Sequence, residues 1–258
     1  MADKSNFVFL PALVVLGWIS GILVNYLADV LPQKRRFVQP FCSNCNTPFE
    51  LRNYLFWPRQ CRACGKYRRA RTWLVEIAFI GISAGLWIHP PERLGIFLSL
   101  VLLFYFGLVA IIDQEHRLIM HVVSIAGAFL CLGVGIWLHG LRVTLLGGLA
   151  GFGLMLLFYI LGMGFMQLLT RWRKQAISED EALGFGDVNL SGVIGLLVGW
   201  PGIIGVLVLG ILLAGLVSLI YLLVMLANRK YHPGLALPYG PFLIAVTIAL
   251  LFQKEYLL

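Results

Sequence analysis

Four of the five cysteines fall in one short stretch, as two pairs with the same internal spacing. Cys42 and Cys45 form the first Cys-x-x-Cys pair, and Cys61 and Cys64 form the second after fifteen intervening residues. Two such pairs can present four thiolates to one tetrahedral ion, and a site closed in this way leaves no position for a catalytic water. Two disulfides are the alternative in an oxidising compartment. The pattern predicts a structural Zn²⁺ ion held by all four cysteines.

Two aspartates stand at the ends of apolar runs. Asp113 directly follows one run, and Asp187 closes a Gly-x-Gly-Asp sequence, formed with Gly184 and Gly186, just before another. Ionisable groups at the edge of hydrocarbon are costly and therefore suggest function. The glycines allow close approach of backbone or substrate and permit φ values that other residues resist. If the two carboxyl groups meet, one can hold a proton while the other activates water, as in aspartic proteases. The alternative is that each aspartate caps a helix.

Three more polar residues interrupt apolar runs. Glu76 lies inside the apolar run at 73–89. Asn25 and Asp29 lie four residues apart in the run at 7–31 and so share one helical face. Such residues are expensive within a membrane and usually line a polar interior. An ion pair of Glu76 with Arg71 or a neighbouring arginine is the structural alternative.

Composition defines the scaffold that must position these groups. Of the 258 residues, 60% are apolar and only 12% are charged, compared with about a quarter charged in soluble domains. The chain is therefore predicted to be an all-α polytopic membrane protein. A break at Trp200-Pro201-Gly202 leaves open whether 188–227 is two helices or one interrupted segment. Apolar runs of suitable length predict eight membrane helices: 7–31, 73–89, 94–112, 122–138, 143–169, 188–200, 202–227 and 239–253.

The distribution of positive charge predicts the orientation. Sixteen of the twenty Lys and Arg residues fall in four segments that we place on one side: 32–72, 113–121, 170–187 and 228–238. Short cytoplasmic loops collect Lys and Arg, so this side is predicted to be the cytoplasm and the amino terminus is predicted to lie outside. The zinc loop and both aspartates then face the cytoplasm. The asymmetry accounts for most of the net charge of +8 and favours contacts with membrane lipids over a nucleic-acid partner.

These features divide the chain into three parts. Residues 1–32 form the first membrane helix, 33–72 the cytoplasmic zinc-binding loop, and 73–258 the remaining membrane core with both aspartates. The loop has only about 40 residues, too few to fold around an apolar core without a stabilising cross-link such as a bound metal ion. The predicted metal site supplies that cross-link.

Several motifs together resemble the bacterial type IV prepilin peptidases. The likeness extends from about residue 21 to residue 245, and the paired cysteines make it more specific than Gly-x-Gly-Asp alone. The motifs are Gly21-x-x-x-Asn25, the two cysteine pairs, Arg-Thr-Trp-Leu-Val-Glu at 71–76, Gly-x-Gly-Asp at 184–187, and Leu-Pro-Tyr-Gly-Pro-Phe at 237–242.

The resemblance implies an aspartic protease of the bacterial inner membrane that cuts the basic leader from prepilins or pseudopilins at the cytoplasmic boundary. Asp113 and Asp187 correspond to its catalytic pair. Many members also methylate the new amino terminus with S-adenosylmethionine, and Glu76, Asn25 and Asp29 are then the polar groups available for that step.

Two other functions remain open at this point. The chain could be a methyltransferase or processing relative whose protease step is secondary, or a non-enzymatic membrane scaffold whose zinc module binds a partner. The acidic residues at 179–181 could attract a basic leader. Alternatively, they form an ordinary solvated loop.

Overall fold

The computed structural model describes residues 10–34, 36–42, 44–56, 58–173, 184–228 and 238–252. Within these ranges the regular structure is helical, apart from two isolated antiparallel bridges in the cysteine-rich loop. The helices are α1 (Leu10–Lys34), α2 (Leu51–Leu55), α3 (Arg71–Ile88), α4 (Gly95–His116), α5 (His121–His139), α6 (Leu141–Arg173), α7 (Phe185–Val198), α8 (Gly202–Ala227) and α9 (Gly240–Phe252).

Six of these helices are long and apolar enough to cross a membrane: α1, α3, α4, α5, α6 and α8. The helices α7 and α9 are apolar but shorter, with 14 and 13 residues. Each of the eight predicted apolar segments corresponds to a helix, whereas the five-residue α2 was not predicted. The prediction of eight membrane spans is not confirmed, because only the six longer helices meet the length expected of a span.

The break at Trp200-Pro201-Gly202 separates two helices. The helix α7 ends at Val198, and Gly199 adopts a left-handed φ of 74° while its N–H donates to the Gly195 carbonyl at 2.9 Å. Glycine favours this conformation at a helix end because it has no β-carbon. The segment 188–227 is therefore two helices.

The described chain divides into two units, Met1–Ile112 and Asp113–Leu258. In the first, α1 packs closely on α3. A β-carbon at Gly21 would lie 2.8 Å from the Glu76 Cα, and one at Gly17 would lie 2.6 Å from the Phe79 carbonyl oxygen. Gly17 and Gly21 therefore form the surface of α1 that packs closely on α3. The three-part division at residues 32 and 72 stays a prediction.

In the second unit, α7 packs against α5 and α6 at backbone distance. A β-carbon at Gly195 would collide with the Gly147 carbonyl on α6, and one at Gly135 on α5 would collide with the Leu196 carbonyl. Ile194 and Leu197 are fully buried. Such close packing fixes α7, and with it the residues in the first turn of that helix.

Candidate active site and metal centre

Asp113 and Asp187 come together at the ends of two helices. Asp113 lies in the last turn of α4, and Asp187 lies in the first turn of α7. Their exposed fractions are only 6% and 9%. The carboxyl groups are close enough to interact electrostatically, although the two residues are distant in sequence. The second unit therefore contains a buried carboxyl pair.

The glycines around Asp187 matter because they leave room for neighbouring atoms, and not because they adopt unusual backbone angles. A β-carbon on Gly186 would lie 2.9 Å from the Ile119 Cβ, in the segment that joins α4 to α5. Gly184 caps α7, and its carbonyl accepts the Asp187 N–H at 3.0 Å. The expectation of φ values reserved for glycine is wrong here, since neither residue is left-handed. The expected close approach is confirmed at Gly186.

The start of α9 also packs against the carboxyl pair. A β-carbon on Gly240 would lie only 2.5 Å from the Asp113 Oδ2 atom, and the Gly240 N–H interacts with the same carboxyl group. The Tyr239 hydroxyl is buried without a hydrogen-bond partner among the described residues, and Tyr239 interacts electrostatically with Asp187. Sequence reasoning missed both residues as site residues. The sequence feature that could have indicated them is the Pro-Tyr-Gly-Pro break at 238–241, which precedes an apolar helix.

If the carboxyl pair cleaves peptides, as the sequence resemblance implies, Gly240→Ala should reduce the rate of cleavage by about a hundredfold, because a methyl group would push the Asp113 carboxyl aside by about 1 Å. The fold should survive, since a flexible side chain can yield. Gly205→Ala on α8 is the matched control, because nothing lies within 4 Å of its added β-carbon. Initial cleavage rates and thermal melting of both variants check this. Equal rates for the two variants would contradict a close fit at Gly240.

The four predicted zinc ligands form one cluster. All four Sγ atoms lie within 4.8 Å of one another, and the Cys42–Cys64 and Cys45–Cys61 Sγ pairs are each 3.6 Å apart. In a tetrahedral Zn–thiolate site with bonds of about 2.3 Å, neighbouring sulfurs are separated by about 3.8 Å. All four are free thiols. The donor set therefore fits a tetrahedral metal ion.

The two cysteine pairs share one backbone fold. The N–H of Asn46 donates to the Cys42 carbonyl and that of Gly65 donates to the Cys61 carbonyl, both at 2.9 Å. Asn46 and Gly65 have left-handed φ values of 53° and 71°, which Gly and Asn tolerate best. The backbone N–H of Cys64 is the main cause that lowers the pKa of the Cys61 thiol to about 6. This favours the thiolate form that a metal binds.

Glu76 is held in a buried ion pair. The Arg59 Nη2 atom lies 2.7 Å from Glu76 Oε2, and both side chains are almost fully buried. The Trp18 indole N–H donates to the same carboxylate oxygen at 3.1 Å, and the Arg59 guanidinium stacks over the Trp73 ring at 4.1 Å. The structural alternative is confirmed in kind, since Glu76 pairs with an arginine, but the partner is Arg59 and not Arg71, which pairs with Asp29.

Asp29 and Asn25 also join α1 to the cysteine-rich loop and α3. Asp29 accepts from Arg68 at 2.9 Å, from Arg71, and from the Tyr54 hydroxyl at 2.6 Å. Burial raises the pKa of Tyr54, so its hydroxyl stays a neutral donor. Asn25 is fully buried, and its Nδ2 donates to the Thr72 carbonyl at 3.0 Å. These polar residues therefore bind the loop to the helices beneath it.

The acidic run at 179–181 lies outside the described residues.

Comparison with known proteins gives a consistent result. The model of the type IV leader peptidase family matches residues 96–223, a range that contains Asp113 and Asp187. A prepilin leader peptidase/N-methyltransferase of Pseudomonas aeruginosa is 31% identical over 84% of this chain and 71% of its own. Proteins with the same name from Stutzerimonas stutzeri and Aeromonas salmonicida are each 28% identical, over 96% and 82% of this chain and 92% and 70% of their own. No solved structure matches.

Proposed function

The chain belongs to the type IV leader peptidase family, and from this membership we propose that it is a membrane aspartic endopeptidase that removes the basic leader from prepilins or pseudopilins. It is a multi-pass membrane protein with six candidate spans. The observation that carries the proposal is the pair of buried carboxyl groups, Asp113 and Asp187, brought together from separate helices.

The pair has the chemistry needed to hydrolyse a peptide bond. Two carboxyl groups that interact electrostatically resist ionising together, so one keeps a proton in this proposal. The ionised carboxylate takes a proton from water as the water attacks the scissile carbonyl, and the protonated carboxyl donates to the carbonyl oxygen. Gly184 and Gly186 form the supporting turn of the active site. The Asp113 Oδ2 atom is buried and has no hydrogen-bond partner among the described residues.

The substrate and the orientation of the enzyme follow from charge. The Lys- and Arg-rich loops assign the zinc loop and both aspartates to the cytoplasmic side of the inner membrane, with the amino terminus outside. The short helices α7 and α9 would be the two further membrane segments of the eight that the sequence predicts. A prepilin would reach the site as an apolar helix with its basic leader in the cytoplasm, where the acidic run at 179–181 attracts it.

Residues 33–72 form the cytoplasmic metal module in this proposal. Cys42, Cys45, Cys61 and Cys64 would hold one Zn²⁺ ion. A closed four-thiolate site lends folding energy and leaves no position for a reacting water. The core for proteolysis is then residues 73–258, with 1–32 as the first membrane helix.

Co-expression of the chain with a type IV prepilin in cells that lack their own leader peptidase tests the proposal. We expect a shortened product whose first residue is the one that follows the leader. Full-length prepilin alone, with the enzyme present in the membrane, would reject the proposed activity.

Methylation of the new amino terminus is the second candidate function. It is favoured because the similar proteins from three genera are named both peptidase and N-methyltransferase. The step needs S-adenosylmethionine and a group that accepts a proton from the amine, which must be neutral to attack. Glu76, Asn25 and Asp29 are the polar residues assigned to this step. Both acids are ion-paired, Glu76 with Arg59 and Asp29 with Arg68, and the Asp29 side chain is the more exposed of the two, at 31% against 4%.

We expect the mature substrate to carry one added methyl group, because two acidic side chains able to accept a proton from the amine, Asp29 and Glu76, lie on α1 and α3. Mass spectrometry of the product after co-expression measures this as a gain of about 14 Da. A cleaved product without that gain would leave the peptidase proposal intact and remove the methyltransferase.

A further inference from the structure

A groove with a volume of about 340 Å³ lies between three helices of the second unit, α5, α6 and α7. Each helix contributes lining residues at positions i, i+3, i+4 and i+7, which share one helical face. The groove therefore follows the helices for about two turns. The lining residues run from His121 to Ala128 on α5, from Leu145 to Phe152 on α6, and from Asn189 to Leu196 on α7.

The three helices meet at one end of the groove. A β-carbon on Gly135 of α5 would lie 2.0 Å from the Leu196 carbonyl oxygen of α7 and 2.9 Å from the Thr144 side chain of α6. Gly135 lies beyond Ala128, the last lining residue of α5, so the groove ends where the helices converge. Along its side the groove is open, because Leu149 on the α6 wall is 71% exposed.

The starts of α5 and α7 lie side by side at the other end. A β-carbon on Gly186, in the first turn of α7, would lie 2.9 Å from the Ile119 Cβ, just before α5. The polar lining residues gather here. His121 and Ser124 are in the first turn of α5, and Asn189 is in the second turn of α7. The groove therefore has a polar end, and its lining becomes apolar along the helices.

The polar end offers hydrogen-bond donors. The side chains of His121, Ser124 and Asn189 can each donate, and the lining residues within the described chain include no carboxylate. Ser124 is only 8% exposed, and its hydroxyl has no hydrogen-bond partner among the described residues. A buried hydroxyl without a partner costs free energy. An acceptor held at this end of the groove would remove that cost.

The size of the groove distinguishes between two kinds of apolar occupant in a membrane. Two turns of an α-helix form a cylinder about 10 Å wide and about 10 Å long, with a volume of about 800 Å³. This is more than twice the volume of the groove. A single hydrocarbon chain is much thinner than a helix and fits between the walls. The groove therefore suits the acyl chain of a lipid better than a partner's membrane helix.

We propose that the groove between α5, α6 and α7 is a binding site for one glycerophospholipid. An acyl chain lies against the apolar lining, and the phosphate accepts hydrogen bonds from Ser124, Asn189 and His121. Hydrogen bonds to an ionised phosphate are stronger than those between neutral groups, and pockets between membrane helices bind lipid head groups. The lipid site does not require the proposed peptidase activity.

Titration of the delipidated protein in detergent with dioleoylphosphatidylglycerol, read by native mass spectrometry, tests the site. We expect the wild type to retain one such phospholipid per chain. It should bind dioleoylglycerol, which has the same acyl chains and no phosphate, about tenfold or more weakly. Asn189→Leu removes the amide donors at similar size. It should weaken binding of the phospholipid by about tenfold and leave binding of dioleoylglycerol unchanged.

Variants that fill the groove provide the second test. Ala128→Phe places a ring in the groove from α5 and should abolish binding of both lipids. Ala126→Phe is the matched control, because Ala126 is an exposed residue of the same helix that does not line the groove. It should bind both lipids as the wild type does. Ile125→Trp, at a lining position that is 57% exposed, is a second filling variant, and melting temperatures show that each variant is folded.

Three results would overturn the proposal. The first is equal phospholipid binding by the wild type and by folded Ala128→Phe or Ile125→Trp. The second is equal affinity of the wild type for the two lipids, because the polar end would then bind no phosphate. The third is displacement of the phospholipid by the apolar helix of a prepilin, or its loss when two chains associate. The groove would then belong to a protein partner.

Discussion

Neither Asp113→Asn nor Asp187→Asn should cleave prepilin at a measurable rate, with a loss of about a thousandfold or more in kcat/KM. Each substitution removes one of the two proton-transfer groups, and a positioned acid or base contributes about a hundredfold to ten-thousandfold. An amide is close in size to a carboxyl group, so the packing around the site should be kept. Cleavage of a prepilin by purified protein in detergent or lipid vesicles is the measurement.

Two controls separate loss of chemistry from loss of fold. Glu50→Gln removes one acidic charge from an exposed ion pair with Arg62 and should cleave as the wild type does. Melting temperatures of Asp113→Asn and Asp187→Asn should match the wild type or exceed it, because burying a carboxyl group costs more than burying an amide. Near wild-type cleavage by either Asn variant would exclude the aspartic mechanism.

The sequence predicts the helices well because each long apolar run has one favourable structure in a membrane. Backbone polar groups must be satisfied within the segment, so a run such as 94–112 becomes a helix, here α4, with an end moved by a few residues. The number of spans is harder to predict. The helices α7 and α9 are as apolar as the others, but their lengths of 14 and 13 residues depend on packing within the protein, which local composition does not encode.

The site was predictable where spacing alone determines geometry. The cysteine pairs bring their own ligands together, since each Cys-x-x-Cys turn is local and its spacing is characteristic. The carboxyl pair was predicted from membrane depth and the glycine setting. The role of Gly240 was not, because it depends on the start of α9 lying against the Asp113 carboxyl. Arg59 likewise lies next to Glu76 only because the loop is folded. The sequence therefore predicted an arginine as the partner of Glu76 but not which arginine.

Metal binding gives the second large expected effect. Purified wild-type protein should contain about one zinc ion per chain, and Cys61→Ser should contain close to none, because a four-thiolate site that loses one ligand also loses the folding energy of its module. Cys131→Ala, at the isolated buried cysteine of α5, is the matched control and should keep its zinc. Elemental analysis by mass spectrometry of the three proteins measures the content.

Loss of zinc should also disturb the helices beneath the loop. Arg59 lies two residues before Cys61, and its pairing with the buried Glu76 depends on the folded loop. A loosened loop would withdraw the arginine and leave an unpaired buried carboxylate, which is strongly destabilising.

We therefore expect Cys61→Ser to melt about 5 °C or more below the wild type, and trypsin to cut within the loop. Wild-type protein that holds no zinc and has its four cysteines in two disulfides would contradict the metal site. It would also contradict the cytoplasmic placement of the loop, because disulfides persist where the compartment is oxidising.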